Sequence, residues 1–293
     1  MPKKEILVTG AHRSGTTWVG HVIREAPEVH YIHEPFNVGI EREYTPLKYW
    51  FEYISEKTDK QHQKEVRDYL RSFYHKETKE RSTGWAASLL NYFDPQKDTP
   101  HERNLFKDPL AVFSVEWFYK VINCQVVVLV RHPAAFVASL KVAKWGFGFK
   151  DLLNQKDLID HHLKDYESQI REYCRVKHDI IDQGILLWNI IYSFLDNCRR
   201  KYGKPWYYVR HEDISSAPVK EFRKLFQHLG LGFTDHVRNY IIQSSTASEQ
   251  SNFKRDSRQN IHTWKERLNE AEIARIKTGT DPLWEKYYKV VDW

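Results

Sequence analysis

Residues 6–23 read ILVTGAHRSGTTWVGHVI. A β-branched and apolar run at residues 6–8 stops at Thr9-Gly10. Mostly small or polar residues follow, and Thr16-Thr17-Trp18 open a segment of helical character. A strand, a glycine-bounded loop and a helix start, in that order, make an anion cradle. Loop N–H groups point inward, and the helix end contributes about half a positive charge. The spacing Gly10-x-x-x-x-Gly15 is that of a nucleotide phosphate loop, whose full form continues with Lys and then Ser or Thr. Thr16 stands where that lysine belongs. Cleavage of a nucleoside triphosphate needs the lysine and a magnesium ligand beside it. The loop is therefore expected to hold a doubly charged anionic group without a triphosphate-and-metal apparatus, with Arg13 as the cation inside it. A glycine turn ahead of an unrelated helix is the competing reading of the loop taken alone.

RSGTTW at residues 13–18 resembles the 5′-phosphosulfate loop of the sulfotransferase family, in the form found in carbohydrate, tyrosylprotein and many bacterial members. Cytosolic members acting on small phenols and steroids usually carry Lys at the position of Arg13. The donor implied is 3′-phosphoadenosine 5′-phosphosulfate (PAPS) and the product 3′-phosphoadenosine 5′-phosphate (PAP), with no metal. The resemblance implies that backbone N–H groups of residues 13–17, including Ser14 and Gly15, and the Thr16 and Thr17 hydroxyls grip the phosphosulfate. Trp18 matches the position that stacks on adenine; a first-turn core tryptophan is the alternative. Arg131-His132-Pro133 with Ser139, eight residues after the arginine, fits the family's second motif and implies a 3′-phosphate site. Arginine binds phosphate bidentately, and a serine two turns along a helix adds a donor.

The resemblance also assigns the chemistry. Arg13 and Lys107 would stabilise the migrating sulfuryl group and the leaving phosphate; Arg13 keeps its proton, so its role is electrostatic. Lys107-Asp108-Pro109 is similar to an element common in bacterial members, although a surface Lys-Asp pair is the default for those letters alone. Glu34, followed by Pro35, resembles the general base of carbohydrate sulfotransferases. Phenol-type members use histidine, so His33 is held in reserve, expected on the opposite side of its strand. A useful base here would have its pKa raised by burial, offset by Arg13 nearby. Residues 210–214 resemble a structural element after the fifth strand. Residues 257–265 resemble the C-terminal cofactor loop without its two glycines, and carry over only Arg258 as a second 3′-phosphate ligand.

The 293 residues, 41% hydrophobic and 29% charged, describe an ordinary soluble globular chain with enough length for a sizeable core. The net charge of +6 is interspersed, with no basic block, so an anionic nucleotide accounts for it better than nucleic acid does. Cys124, Cys174 and Cys198 show neither a disulfide framework nor a metal pattern, and the histidines are dispersed. Residues 1–4 leave no room for a signal peptide. The longest apolar stretch, 185–195, is too short to span a bilayer and holds Asn189 and Ser193. A cytoplasmic protein with reduced thiols is expected; a homodimer is left open.

Short apolar strands at 6–8, 29–32, 104–106, 125–130 and 206–209 alternate with helical segments. They predict an α/β, P-loop-like three-layer fold with a central, mainly parallel sheet of about five strands flanked by helices. Helices are expected at 112–121, 134–142, 185–201, 218–229 and 270–276. Residues 40–100 and 145–183 read as helical decorations of a single domain spanning 1–293. The second of these is either surface helices or a flap hinged at the glycines of 145–149. Each strand candidate ends in polar chemistry: Thr9-Gly10, His33-Glu34, Lys107-Asp108, Arg131-His132 and Arg210-His211-Glu212. Parallel strands bring all five to one edge, where ligands of such sheets bind. The expectation is a PAPS-dependent sulfotransferase acting on a carbohydrate or glycolipid hydroxyl. The alternatives are an ATP-dependent small-molecule kinase, transfer to a small non-sugar alcohol or phenol, and a non-catalytic nucleotide-binding or nucleic-acid-binding module.

Overall fold

A run such as QVVVLV is stable as a strand only if both of its faces are covered. In the computed structural model, which describes residues 3–74, 102–246 and 261–293, it forms β4 (Cys124–Val130). On one side β4 pairs in parallel with β1 (Glu5–Gly10), and β1 with β3 (Arg103–Lys107) and β3 with β2 (Val29–His33). On the other side it pairs with β5 (Tyr207–Arg210). The order is β2-β3-β1-β4-β5, every pairing parallel. The chain winds one way from β1 to β2 and β3, then the other way to β4 and β5. The loop after β1 therefore sits at the topological switch point, where a crevice opens.

Side-chain alternation sorts the strands between two cores. Leu7, Ile32, Phe106, Val126, Val128 and Val130 face α3 (Pro133–Ala143) and the long α5 (Ile180–Tyr202). Ile6, Val8, Leu105, Val127 and Leu129 face α1 (Thr16–Arg24), α6 (Pro218–Leu229) and α7 (Asp235–Ser245). Each fully buried valine or leucine is worth about 1.5–3 kcal/mol of transfer free energy. One-face burial would have demanded a polar residue at every second position, which β4 lacks.

Several boundaries move. The central helix begins at Ile180 because Asp179 caps it, accepting from the Asp182 N–H at 2.9 Å. Residues 112–121 form no single helix but consecutive short 3₁₀, α and π turns. The charged segment near residue 60 is α2 (Lys60–Arg71), capped by Asp59. Between α3 and α5 lie short helical pieces and α4 (Glu167–Arg175). The C-terminal helix, α8 (Glu270–Gly279), opens with an Asn269/Glu272 capping box and is tied to α3 by a Lys141–Glu272 pair at 2.7 Å. Residues 75–100 of the first expected decoration, and Arg258, lie outside the described residues. No helix among the described residues is long and apolar enough to cross a membrane.

Candidate functional site

The loop after β1 is tight because its neighbours leave no room. A Cβ on Gly10 would lie 2.3 Å from the Leu129 carbonyl oxygen of β4. Gly15 has φ 89°, and a Cβ there would meet His211 Nδ1 at 2.5 Å. The backbone of Gly15 thus passes directly over a buried histidine and turns into α1. No side chain among the described residues caps that helix, so its first-turn N–H groups, which have no intrahelical acceptor, face the hollow of the loop. Thr16 is buried and Thr17 exposed at the same end.

Ser14 is buried beneath the loop, its hydroxyl 3.2 Å from that of Tyr192. Tyr192, on α5, donates to the Leu129 carbonyl at 3.2 Å and accepts from the Arg131 N–H at 3.1 Å. Burial pushes its hydroxyl up to about 12. One phenol therefore joins the phosphate loop to the end of β4. Arg131 reaches back across the site and donates from Nη1 to the Arg13 carbonyl, while its own carbonyl accepts from Trp188 Nε1 at 3.0 Å. Its Nε is buried with no hydrogen-bond partner among the described residues, a donor that an anion beside the loop would satisfy.

Glu34 ends β2 in a left-handed conformation, φ 43°. A non-glycine residue held there costs about 1–3 kcal/mol, and the surroundings fix it from several directions. Its N–H donates to the Lys107 carbonyl at 2.9 Å, and its own carbonyl accepts from Arg42 Nη2 at 2.7 Å. Its carboxylate accepts from Asn37 Nδ2 at 2.7 Å and from Lys107 Nζ at 2.6 Å. Lys107 is 0% exposed and its stem runs against Gly20 of α1, where a Cβ would come within 2.8 Å of it. Burial acts to raise the Glu34 carboxyl, but the charge and hydrogen bond of Lys107, with Asn37, outweigh it and the net shift is downward. The expected upward shift is thus reversed, and the opposing cation is Lys107 rather than Arg13.

The left-handed turn also alters the expected placement of His33. Alternation along an ideal strand would send it away from Glu34; instead its Nε2 lies 4.0 Å from Glu34 Oε2, with Nδ1 2.9 Å from the Tyr31 hydroxyl. Asp108 staples the same corner, accepting from the Phe36 N–H at 2.5 Å and from those of Leu110 and Ala111 at 2.9 and 3.3 Å. Burial and then Glu34 push its carboxyl up to about 7. It is a buried connector rather than half of a surface pair.

The remaining expected residues are spread more widely. Arg13 is exposed, in the left-handed region at φ 63°, with its guanidinium 5.1 Å from the ring of Trp145, itself 52% exposed. Trp18 is half-buried, edge-on to Phe222 at 5.3 Å and donating to the Ser244 hydroxyl at 3.0 Å. Ser139 is 3% exposed and donates to the Phe136 carbonyl of its own helix at 2.7 Å, so it is not joined to Arg131 by a hydrogen bond. The element after β5 is structural: Arg210 forms a bidentate pair with Asp213 at 2.5 and 2.8 Å, and Glu212 accepts from the His132 N–H at 3.0 Å. Tyr192, Asn37 and Arg42 went unnoticed in the sequence, and His211 stood out only as part of the element after the fifth strand. Tyr192 lies in an apolar helical run that reads as core, and Asn37 and Arg42 carry no motif.

A family model described as "Sulfotransferase family" matches residues 5–235. Among solved structures the chain is similar to the sulfotransferase domain of the Synechococcus PCC 7002 olefin synthase, at 13% identity and TM-score 0.51, covering 99% of this chain and 96% of that one. It is also similar to the sulfotransferase domain from the curacin biosynthetic pathway, at 10% identity and TM-score 0.49, covering 97% of each. Mouse sulfotransferase SULT7A1 complexed with PAP aligns at 13% identity and TM-score 0.42, covering 99% and 86%. At these identities the likeness to the olefin synthase domain speaks for the fold alone. No curated protein matches the sequence.

Proposed function

Because the chain belongs to the sulfotransferase family, we propose that it transfers the sulfuryl group of PAPS in line to a hydroxyl of a carbohydrate or glycolipid, with Glu34 as general base. The observation that carries this reading is the Glu34–Lys107 pair at 2.6 Å, delivered by the ends of β2 and β3 beside the phosphate loop. A carboxylate kept ionised by a buried lysine can take the acceptor's proton while the lysine faces the charge that develops on the donor. Sulfuryl transfer, like phosphoryl transfer, asks for positioning and charge stabilisation more than for covalent chemistry.

The residues present fit an anionic donor. The start of α1 offers backbone N–H groups, Thr16 and Thr17 offer hydroxyls, and Arg131 Nε lacks an acceptor among the described residues. Arg13 contributes fixed positive charge at the rim. Glu34 accepts the proton as the acceptor oxygen bonds to sulfur, and the bond from sulfur to the donor phosphate breaks. Thr16 in the lysine position disfavours a kinase. The glutamate base and the arginine in the loop favour a sugar over a phenol, and the scheme uses no metal and no second subunit.

The test is an acceptor screen with labelled PAPS, run with and without chelator, on the wild type and Glu34→Gln. The variant should bind PAP as the wild type does and lose kcat by about 10²–10⁴-fold; chelator should change nothing. Unaltered turnover in Glu34→Gln would remove the proposed base, and turnover of ATP in place of PAPS would remove the proposed donor.

A further inference from the structure

His12 has no part in that scheme, yet it lies in the phosphate loop between Ala11 and Arg13. Its ring meets Phe136 edge-on at 5.4 Å and Phe51 at 6.0 Å. Nδ1 is buried there with no hydrogen-bond partner among the described residues, while the residue as a whole is half-buried. Burial, and then the neighbouring Arg13, hold the imidazole neutral down to about 4, with Glu34 pulling weakly the other way. The ring is therefore within electrostatic reach of both the loop cation and the proposed base.

A neutral imidazole carries one proton, on one nitrogen. Buried N–H groups without an acceptor are rarer and costlier than under-satisfied acceptors. The proton therefore belongs on Nε2, and the bare lone pair belongs between the phenylalanines. The side chain is then an uncharged donor within the loop, held in place by aromatic packing.

Resting on the sulfotransferase reading, we propose that His12 is a further catalytic residue whose Nε2–H donates to a non-bridging oxygen of the sulfuryl group during transfer. His12 makes and breaks no covalent bond and keeps its proton throughout. The sulfur–oxygen bond to the donor phosphate breaks, the bond to the acceptor oxygen forms, and the acceptor's proton goes to Glu34. A donor preset toward such an oxygen accelerates transfer by about 10²–10³-fold.

PAP lacks the sulfuryl group, so the contact is read as a difference between two ligands without any acceptor. Calorimetry with PAP and with PAPS is run on the wild type, His12→Phe and His12→Gln, with His12→Met replacing the phenylalanine variant should that one not fold. We expect PAP affinity to stay within about twofold in every variant and PAPS affinity to fall about tenfold in the variants lacking a donor. His12→Gln, which keeps an N–H, should recover most of the PAPS affinity. Where kcat is measurable, it should follow the same order with a larger loss. Equal weakening of PAP and PAPS would mean that His12 only shapes the loop, and unchanged PAPS affinity would mean no contact; either overturns the proposal while leaving the sulfotransferase reading in place. A wild-type protein that binds neither ligand overturns both.

Discussion

Glu34 shows how much one residue's environment decides. Its left-handed backbone, its carbonyl in the grip of Arg42 and its carboxylate between Lys107 and Asn37 make it a pre-positioned anion. Because its pKa is lowered on folding, the carboxylate adds stability above the ordinary carboxylate range, and that contribution is lost as pH falls through the folded value. The same sign applies to catalysis: the acid limb of the rate profile should lie below the usual glutamate range. Replacing Lys107 by Met removes the charge that outweighs burial, so the acid limb should move to higher pH as kcat falls. Rate against pH for the two proteins checks this, and an unmoved limb would mean that Lys107 does not set the ionisation of Glu34. The pairing itself was legible only as two separate motifs, because the turn that brings the side chains together is written in Asn37 and Arg42, which match no pattern.

The long helix α5 is the element whose role is least visible in its letters. It reads as apolar packing, and Leu186, Leu187, Ile190 and Ile191 are indeed fully buried. Tyr192 and Trp188 on that helix nevertheless set the geometry of the site, one joining Ser14, Leu129 and Arg131, the other holding the Arg131 carbonyl. Removing the Tyr192 hydroxyl leaves a buried N–H and a buried carbonyl without this partner, which costs about 1–3 kcal/mol. Tyr192→Phe should therefore lower the melting temperature by several degrees and weaken PAP binding. Thermal denaturation and PAP titration read the two effects; wild-type PAP affinity would show that the hydroxyl serves the core alone. On α3, Ser139, eight residues after Arg131, donates its hydroxyl to the Phe136 carbonyl of the same helix.

At the scale of the molecule, the parallel sheet gathers the chemistry. Strand ends at Gly10, His33, Lys107, Val130 and Arg210 share one edge, so residues nearly two hundred positions apart become neighbours. The net charge of +6 acts over the same distance. PAP at about a hundred times its Kd should stabilise the fold by about 2.7 kcal/mol. The gain should shrink as salt rises from low to physiological ionic strength and beyond, because screening shortens the reach of the positive field. Thermal shifts with PAP across a salt series measure this, and a salt-independent shift would mean that nearby contacts, not the overall field, hold the ligand.

The letters alone determined the five strands and most of the long helices: a continuous apolar strand can only be a covered one, and parallel strands put their ends on one edge. These follow from local sterics and hydrogen bonding, which short stretches encode. Which side chains touch was decided by the tertiary structure. Glu34 meets Lys107 and comes within 4.0 Å of His33 through a left-handed turn, Tyr192 rises under the loop from a helix that reads as core, and His12 packs against two phenylalanines from distant segments. Burial and charge proximity, which set the ionisation of Glu34, Tyr192 and His12, depend on neighbours far away in the chain, and no local pattern contains them.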